Sequence, residues 1–114
     1  MLHFETVEPG TLSVLRQLMD ISELSGFNLV GGTALSLMYG HRISVDLDLF
    51  STSKFDNEVL INALKQKFGQ NFVMEDKPAF FGIFCYINNV KVDIVRFPHP
   101  LIRPTLEIDN IRMY

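Results

Sequence analysis

Leu29-Val30-Gly31-Gly32-Thr33-Ala34 and, a few residues on, His41-Arg42-Ile43-Ser44-Val45-Asp46-Leu47-Asp48-Leu49-Phe50 decide how this chain reads. The apolar run Phe27 to Val30 meets two residues that tolerate positive φ. From Thr33, the pattern Ala34-Leu35-Ser36-Leu37-Met38-Tyr39 predicts a short helix ended by Gly40. Consecutive amides at such a turn form an anion-binding hollow, and the helix N-terminus adds a partial positive charge. Phosphate is the guest that suits it. Read alone, the Gly-Gly pair is a plain turn with Thr33 as an N-cap.

Val45 to Phe50 predicts a strand. Side chains alternate faces along a strand, so Val45, Leu47 and Leu49 share one side while Asp46 and Asp48 share the other. Same-face neighbours lie roughly 6.5 to 7 Å apart, close enough for both carboxylates to lean toward one cation. Two bare carboxylates about 4 Å apart repel by about 4 kcal/mol at an effective dielectric near 20, so a positive partner is expected. Oxygen-only ligands favour magnesium, manganese or calcium over zinc or copper. A lone Asp-x-Asp is otherwise an edge strand with a solvated acidic face. A phosphate hollow roughly 15 residues upstream of the pair weighs against that plainer account.

A third acid has the same geometry. Val90 to Val95 alternates again, with Val90, Val92 and Ile94 on one face and Lys91, Asp93 and Val95 on the other. Asp93 meets Asp46 and Asp48 if the two strands are neighbours. Phosphoryl transfer commonly uses two cations about 3.5 to 4 Å apart, and a third carboxylate would serve one of them or help deprotonate an acceptor hydroxyl. The alternative is an ordinary strand Asp paired to Lys91 or Arg96.

Taken together, Gly31-Gly32-Thr33-Ala34-Leu35, His41-Arg42-x-Ser44-x-Asp46-x-Asp48-Leu49-Phe50 and Val90-Lys91-Val92-Asp93-Ile94-Val95 resemble the AbiEii/AbiGii-type toxin nucleotidyltransferases, a branch of the DNA polymerase beta-like superfamily. The resemblance runs from about residue 10 to about residue 112. It implies that Gly31, Gly32 and Thr33 hold nucleotide phosphates and that Asp46, Asp48 and Asp93 bind Mg2+ or Mn2+ and form the catalytic set. Thr33 keeps the hydroxyl where relatives often carry Ser. Arg42 and Ser44 also look typical of the toxin branch, which implies that Arg42 reaches a phosphate and Ser44 fixes the loop. A surface arginine paired to Asp46 or Asp48 is the other account of Arg42.

The resemblance further implies transfer of a nucleoside monophosphate from an NTP to a hydroxyl, with RNA or tRNA as acceptor and an antitoxin protein as partner. Members usually continue into a helical half with a characteristic Lys, whereas this sequence ends at Tyr114. The expectation is one nucleotidyltransferase-like catalytic lobe over residues 1–114, truncated before a C-terminal helical half. Two other functions fit the same residues. One is a non-catalytic remnant acting as a binding or homodimerisation module; the other is a small-molecule nucleotidyltransferase of the antibiotic-modifying kind.

Composition agrees with one small α/β domain of the α+β kind. At 114 residues and 47% hydrophobic, the chain has enough apolar surface for a single core. A small mixed or antiparallel sheet with two to three covering helices is expected. A net charge of −3 without a basic stripe argues against strong nucleic-acid binding by these residues alone. The single Cys85, in the apolar run Ala79 to Ile87, reads as a buried strand thiol and not as a disulfide partner. No run approaches the roughly 20 apolar residues of a membrane span, and the start lacks a secretory leader. The expected location is cytoplasmic.

Elsewhere, Thr11 to Leu24 and Asp56 to Phe68 carry apolar residues at helical spacing, the second with Asp56 as an N-cap and Lys65 and Lys67 in its last turn. Asn71 to Glu75 and Ala79 to Ile87 read as strands, and Asn88-Asn89 as a two-residue hairpin turn into Val90 to Val95. Pro98, Pro100 and Pro104 mark a loop before a last strand, Ile108 to Met113. His41 either approaches the nucleotide or makes a loop hydrogen bond; His3 and His99 read as terminal and surface residues.

Overall fold

The acidic segment becomes the central strand of a mixed sheet. In the computed structural model, which describes residues 2–40, 45–75, 82–96 and 104–114, strand β2 (Leu47–Ser51) lies antiparallel to β1 (Asn28–Val30) on one side. On its other side it runs parallel to β5 (Val90–Arg96). The described strands continue outward through β4 (Gly82–Ile87) and β3 (Phe72–Met74) beyond β5, and through β7 (Ile111–Met113) and β6 (Leu106–Ile108) beyond β1. The order is β3-β4-β5-β2-β1-β7-β6. The fold class is therefore the expected α/β one, with a mixed sheet of seven described strands and three α-helices.

Alternation decides which face is buried. Leu29, Leu47, Leu49, Ile83, Cys85, Val92, Ile94 and Met113 are all nearly inaccessible, and the strand registers put them side by side on one face. The helices bring Val14, Leu15 and Leu18 of α1 (Pro9–Met19), Ala34 and Leu37 of α2 (Gly31–Tyr39), and Leu60, Leu64 and Phe68 of α3 (Asn57–Phe68) into the same core. Each fully buried Leu, Ile or Val contributes about 1.5–3 kcal/mol. The opposite face carries Val30, Asp48, Phe50, Phe84, Lys91, Asp93 and Val95, as the same registers require. One face of the sheet packs under the helices, and the other carries Asp48 and Asp93.

Local signals place the elements. α1 starts at Pro9 because the Glu8 carboxylate accepts from the Gly10 and Thr11 amides at 3.0 and 2.9 Å. It ends at Met19, five residues short of the expected limit: Ile21 is extended, and Leu24 reaches the core from a separate 3₁₀ turn, Ser22–Leu24. α3 is capped by Asp56, which accepts from the Glu58 amide at 2.9 Å, with Lys65 and Lys67 at its other end. Asn88 and Asn89 have φ of 50° and 66°, the paired positive values of a tight hairpin turn. The last strand differs from expectation. Asp109 and Asn110, at φ of 53° and 64°, repeat that turn and split the segment into the β6–β7 hairpin. No helix among the described residues is long and apolar enough to cross a membrane.

Candidate active site

Asp48 and Asp93 are direct neighbours across the parallel β2–β5 pair, so both side chains leave the same face of adjacent strands about 4.8 Å apart. Two residues 45 positions apart in sequence are thus brought side by side. Asp46 lies one residue before β2 and is exposed; the strand starts at Leu47, later than expected, and Val45 is exposed. Burial pushes the Asp48 carboxyl above its ordinary pKa, the Asp93 and Asp46 charges push it the same way, and Lys91 opposes them.

The glycine turn faces these acids. Val30 pairs with Asp48 in the β1–β2 ladder, and the next residue, Gly31, opens α2 at φ of 75°. A Cβ at Gly31 would lie 2.8 Å from Asp48 Oδ2. Helix α2 begins two residues earlier than the sequence pattern predicts, so both glycines belong to its first turn, and Val30 supplies no side-chain cap. The first-turn amides and the helix dipole therefore face the acidic corner. Thr33 is not an N-cap: it is buried and its Oγ1 donates to the Asp46 carbonyl. From the other side, Thr11 Oγ1 donates to the Val45 carbonyl at 3.1 Å. The backbone that presents Asp46 is held by two hydroxyls from two helices. Arg42, Ser44 and His41 lie outside the described residues, as does His99.

Lys91 enters the same corner. Its Nζ lies 3.1 Å from Asp93 Oδ1 and 3.1 Å from Glu75 Oε2, and these two carboxylates raise its pKa. The pairing named as the ordinary account of Asp93 is thus present alongside the Asp48 neighbour. Among the described residues no three His, Cys, Asp or Glu side chains converge as a ready metal cage. Asp46, Asp48 and Asp93 supply only carboxylate oxygens, the donor type of Mg2+ and Mn2+, and the half-buried Asp48 repelled by its neighbours is a group that a divalent cation would relieve.

Sequence reasoning missed Thr11, whose place at the start of an amphipathic helix gives no hint of a bond to Val45. It also missed Arg112, which donates through Nε to the Phe27 carbonyl and through Nη2 to the Leu24 carbonyl, both at 3.0 Å. These bonds tie β7 to the segment that leads into β1. Cys85 is the buried strand residue expected: its Sγ lies 3.4 Å from the Val92 carbonyl and burial pushes its thiol up to about 12.

A helix-backed mixed sheet with paired acids beside a glycine-led helix is the architecture of a nucleotidyltransferase lobe. The chain belongs to the AbiEii family, described as nucleotidyl transferase toxins of type IV toxin–antitoxin systems, whose family model matches residues 13–109. Among solved structures it is similar to JHP933 from Helicobacter pylori, at 21% identity and a TM-score of 0.53 over 94% of this chain and 53% of that one. It is also similar to an H. pylori protein provisionally described as a nucleotidyltransferase, at 21% identity and a TM-score of 0.54 over 93% of this chain and 54% of that one. These likenesses show the fold. The chain spans about half the length of the solved structures it matches. No curated protein matches it.

Proposed function

We propose that this lobe binds an NTP with Mg2+ or Mn2+ and transfers its nucleoside monophosphate to a hydroxyl of an RNA acceptor, tRNA included, as the toxin of a toxin–antitoxin pair. The register that sets Asp48 beside Asp93, against the Gly31 end of α2, carries the reading. Gly31, Gly32 and Thr33 offer first-turn amides to the phosphates. Asp46, Asp48 and Asp93 would hold the cation, which when bound neutralises phosphate charge and polarises the reacting oxygens. Asp93 orients the acceptor hydroxyl, and pyrophosphate leaves as the new phosphodiester bond forms. Arg42 and Ser44 complete the phosphate contacts in this reading. The partner is an antitoxin protein and the compartment is the cytoplasm.

The test is transfer of label from α-labelled NTP to RNA in the presence of Mg2+. Asp46→Asn and Asp48→Asn are each expected to lower it by about a hundredfold or more, since even the outer-shell partners of metal ligands cost 10–100-fold. Full transfer by either variant overturns the assignment. One observation favours a non-catalytic binding module instead: Lys91 already neutralises Asp93. Calorimetry with Mg2+ and a non-hydrolysable NTP decides, because such a module shows no metal-dependent nucleotide binding.

A further inference from the structure

Asp46 stands outside the ladder that fixes the other two acids. Asp48 and Asp93 are registered against each other in the β2–β5 pair, which begins with Leu47 opposite Val92. Val45 and Asp46 precede that paired backbone, and both are exposed. A residue in such a place keeps backbone freedom that it must give up to hold a ligand. Here two hydroxyls do what the ladder does further along. The Asp46 carbonyl accepts from Thr33 Oγ1 of α2, and the Val45 carbonyl accepts from Thr11 Oγ1 of α1 at 3.1 Å. These carbonyls belong to the two peptide groups on either side of the Asp46 Cα. Because each peptide group is planar, holding both planes fixes φ and ψ of Asp46, and with them the direction in which its side chain leaves the backbone.

We infer that Thr11 is a positioning residue of the acidic site: its hydroxyl, through the Val45 carbonyl, sets the orientation in which Asp46 meets a divalent cation. The inference rests on the nucleotidyltransferase reading of the acids. The hydroxyl has one proton and two acceptors within reach, the Val45 carbonyl at 3.1 Å and Glu8 Oε2 at 3.2 Å. The Glu8 carboxylate already accepts from the Gly10 and Thr11 amides at 3.0 and 2.9 Å, so it is satisfied without the hydroxyl, and the proton belongs to Val45. Thr11 is only 1% exposed. Solvent therefore does not take the place of its hydroxyl, and removing that group leaves a carbonyl without this donor. Thr11 touches none of the acids itself. Its place at the start of α1 couples the seating of that helix on the sheet to the aim of one carboxylate.

The experiment is Mg2+ calorimetry in the presence of a non-hydrolysable NTP, on the unaltered protein and on Thr11→Val, Thr11→Ser and Glu8→Ala, with a thermal melt of each. The carbonyl-carbon NMR shift of Val45 is read in the same proteins without metal. Thr11→Val keeps the shape and removes the hydroxyl. It is expected to bind Mg2+ about tenfold more weakly, the lower end of the 10–100-fold cost of losing a group that orients a metal ligand, and to move the Val45 resonance before any metal is added. Thr11→Ser should bind within about threefold of the unaltered protein and restore the resonance, since serine offers the same donor. Glu8→Ala removes the helix cap and keeps the Val45 bond, so it should melt a few degrees lower with its Mg2+ affinity unchanged. Should Thr11→Val lose its circular dichroism spectrum, Thr11→Ala, a stronger helix former, replaces it. Mg2+ binding by the hydroxyl-free variant as tight as that of the unaltered protein overturns the positioning role. So does Thr11→Ser as weak as Thr11→Val, which would assign the effect to packing, or Glu8→Ala as weak as Thr11→Val, which would assign it to helix stability. Each of these leaves the transferase reading standing. Absence of Mg2+ binding by the unaltered protein with NTP overturns the transferase reading itself, and the role of Thr11 with it.

Discussion

Gly31 and Asp48 meet so closely that a methyl group on the first would stand 2.8 Å from Oδ2 of the second. The backbone of α2 and the acid of β2 are therefore fitted to each other, and the fit depends on the one residue type that has no Cβ. Gly31 is also at φ of 75°, a region that costs other residues about 1–2 kcal/mol. Gly31→Ala is expected to melt about 4–8 °C lower and to lose metal-dependent nucleotide binding altogether, because Asp48 must move. A Gly31→Ala protein that binds Mg2+ and NTP as before would show that the contact has no part in the site.

Asp48 makes a pH prediction. Burial, and then Asp93 and Asp46, raise its folded pKa, so the folded state holds the proton more tightly than the unfolded one. The stability this contributes is fully present below the unfolded value, about 4, and is lost as pH rises through the higher folded value. At pH 7 the ionised carboxylate is a liability. Asp48→Asn should melt a few degrees higher than the unaltered protein at pH 7 and level with it near pH 3, a gain of about 1 kcal/mol or less given its partial exposure. Mg2+ should raise the melting temperature of the unaltered protein at pH 7 and not that of the variant. A variant that melts lower at pH 7 would contradict the repulsion.

In the proposed site, Lys91 would compete with a cation for Asp93. Its ion pairs with Glu75 and Asp93 are part-exposed, so Lys91→Met should change stability by less than about 1 kcal/mol. Calorimetry should show Mg2+ binding severalfold tighter in the variant, because one positive charge has left the corner. Weaker binding in Lys91→Met would make Lys91 a support of the site.

Ser36 offers a test away from the acids. Its Oγ is fully buried in α2 with no hydrogen-bond partner among the described residues, while its carbonyl accepts from Thr6 Oγ1 and the Gly40 amide. Ser36→Ala keeps those backbone bonds and removes a buried unpaired hydroxyl, a group that costs about 1–3 kcal/mol. Thermal melts should show the variant level with or above the unaltered protein; a drop of several degrees would mean that the hydroxyl has a partner.

Much of this was legible because period-two alternation is a local signal. Val90 to Val95 assigns Asp93 to a face without any structure, and Asn88-Asn89 announces the turn that makes β4 and β5 a hairpin. Which strand neighbours which is a long-range matter, and nothing in the sequence stated that β2 runs parallel to β5. Asp109-Asn110 carries the same turn signal as Asn88-Asn89, but the strands it joins, Leu106–Ile108 and Ile111–Met113, are three residues each and too short to show alternation. Thr33 was legible as a hydroxyl at the right place and not as a donor to Asp46, since that bond spans 13 residues. The contact of Phe50 with Tyr114 has no sequence signal, because the two come together only after β7 has docked on β1.

The parallel pairing of β2 with β5 also has a bearing on biosynthesis. A parallel neighbour needs a crossover, and here the intervening chain comprises α3, β3 and β4. During translation the ribosome must release all of it before Asp93 can take its place, and ring closure over such a span is an entropic toll that only later packing offsets. A half-made polypeptide that ends before Val90 therefore lacks β5, and with it the neighbour that Asp48 has in the finished sheet.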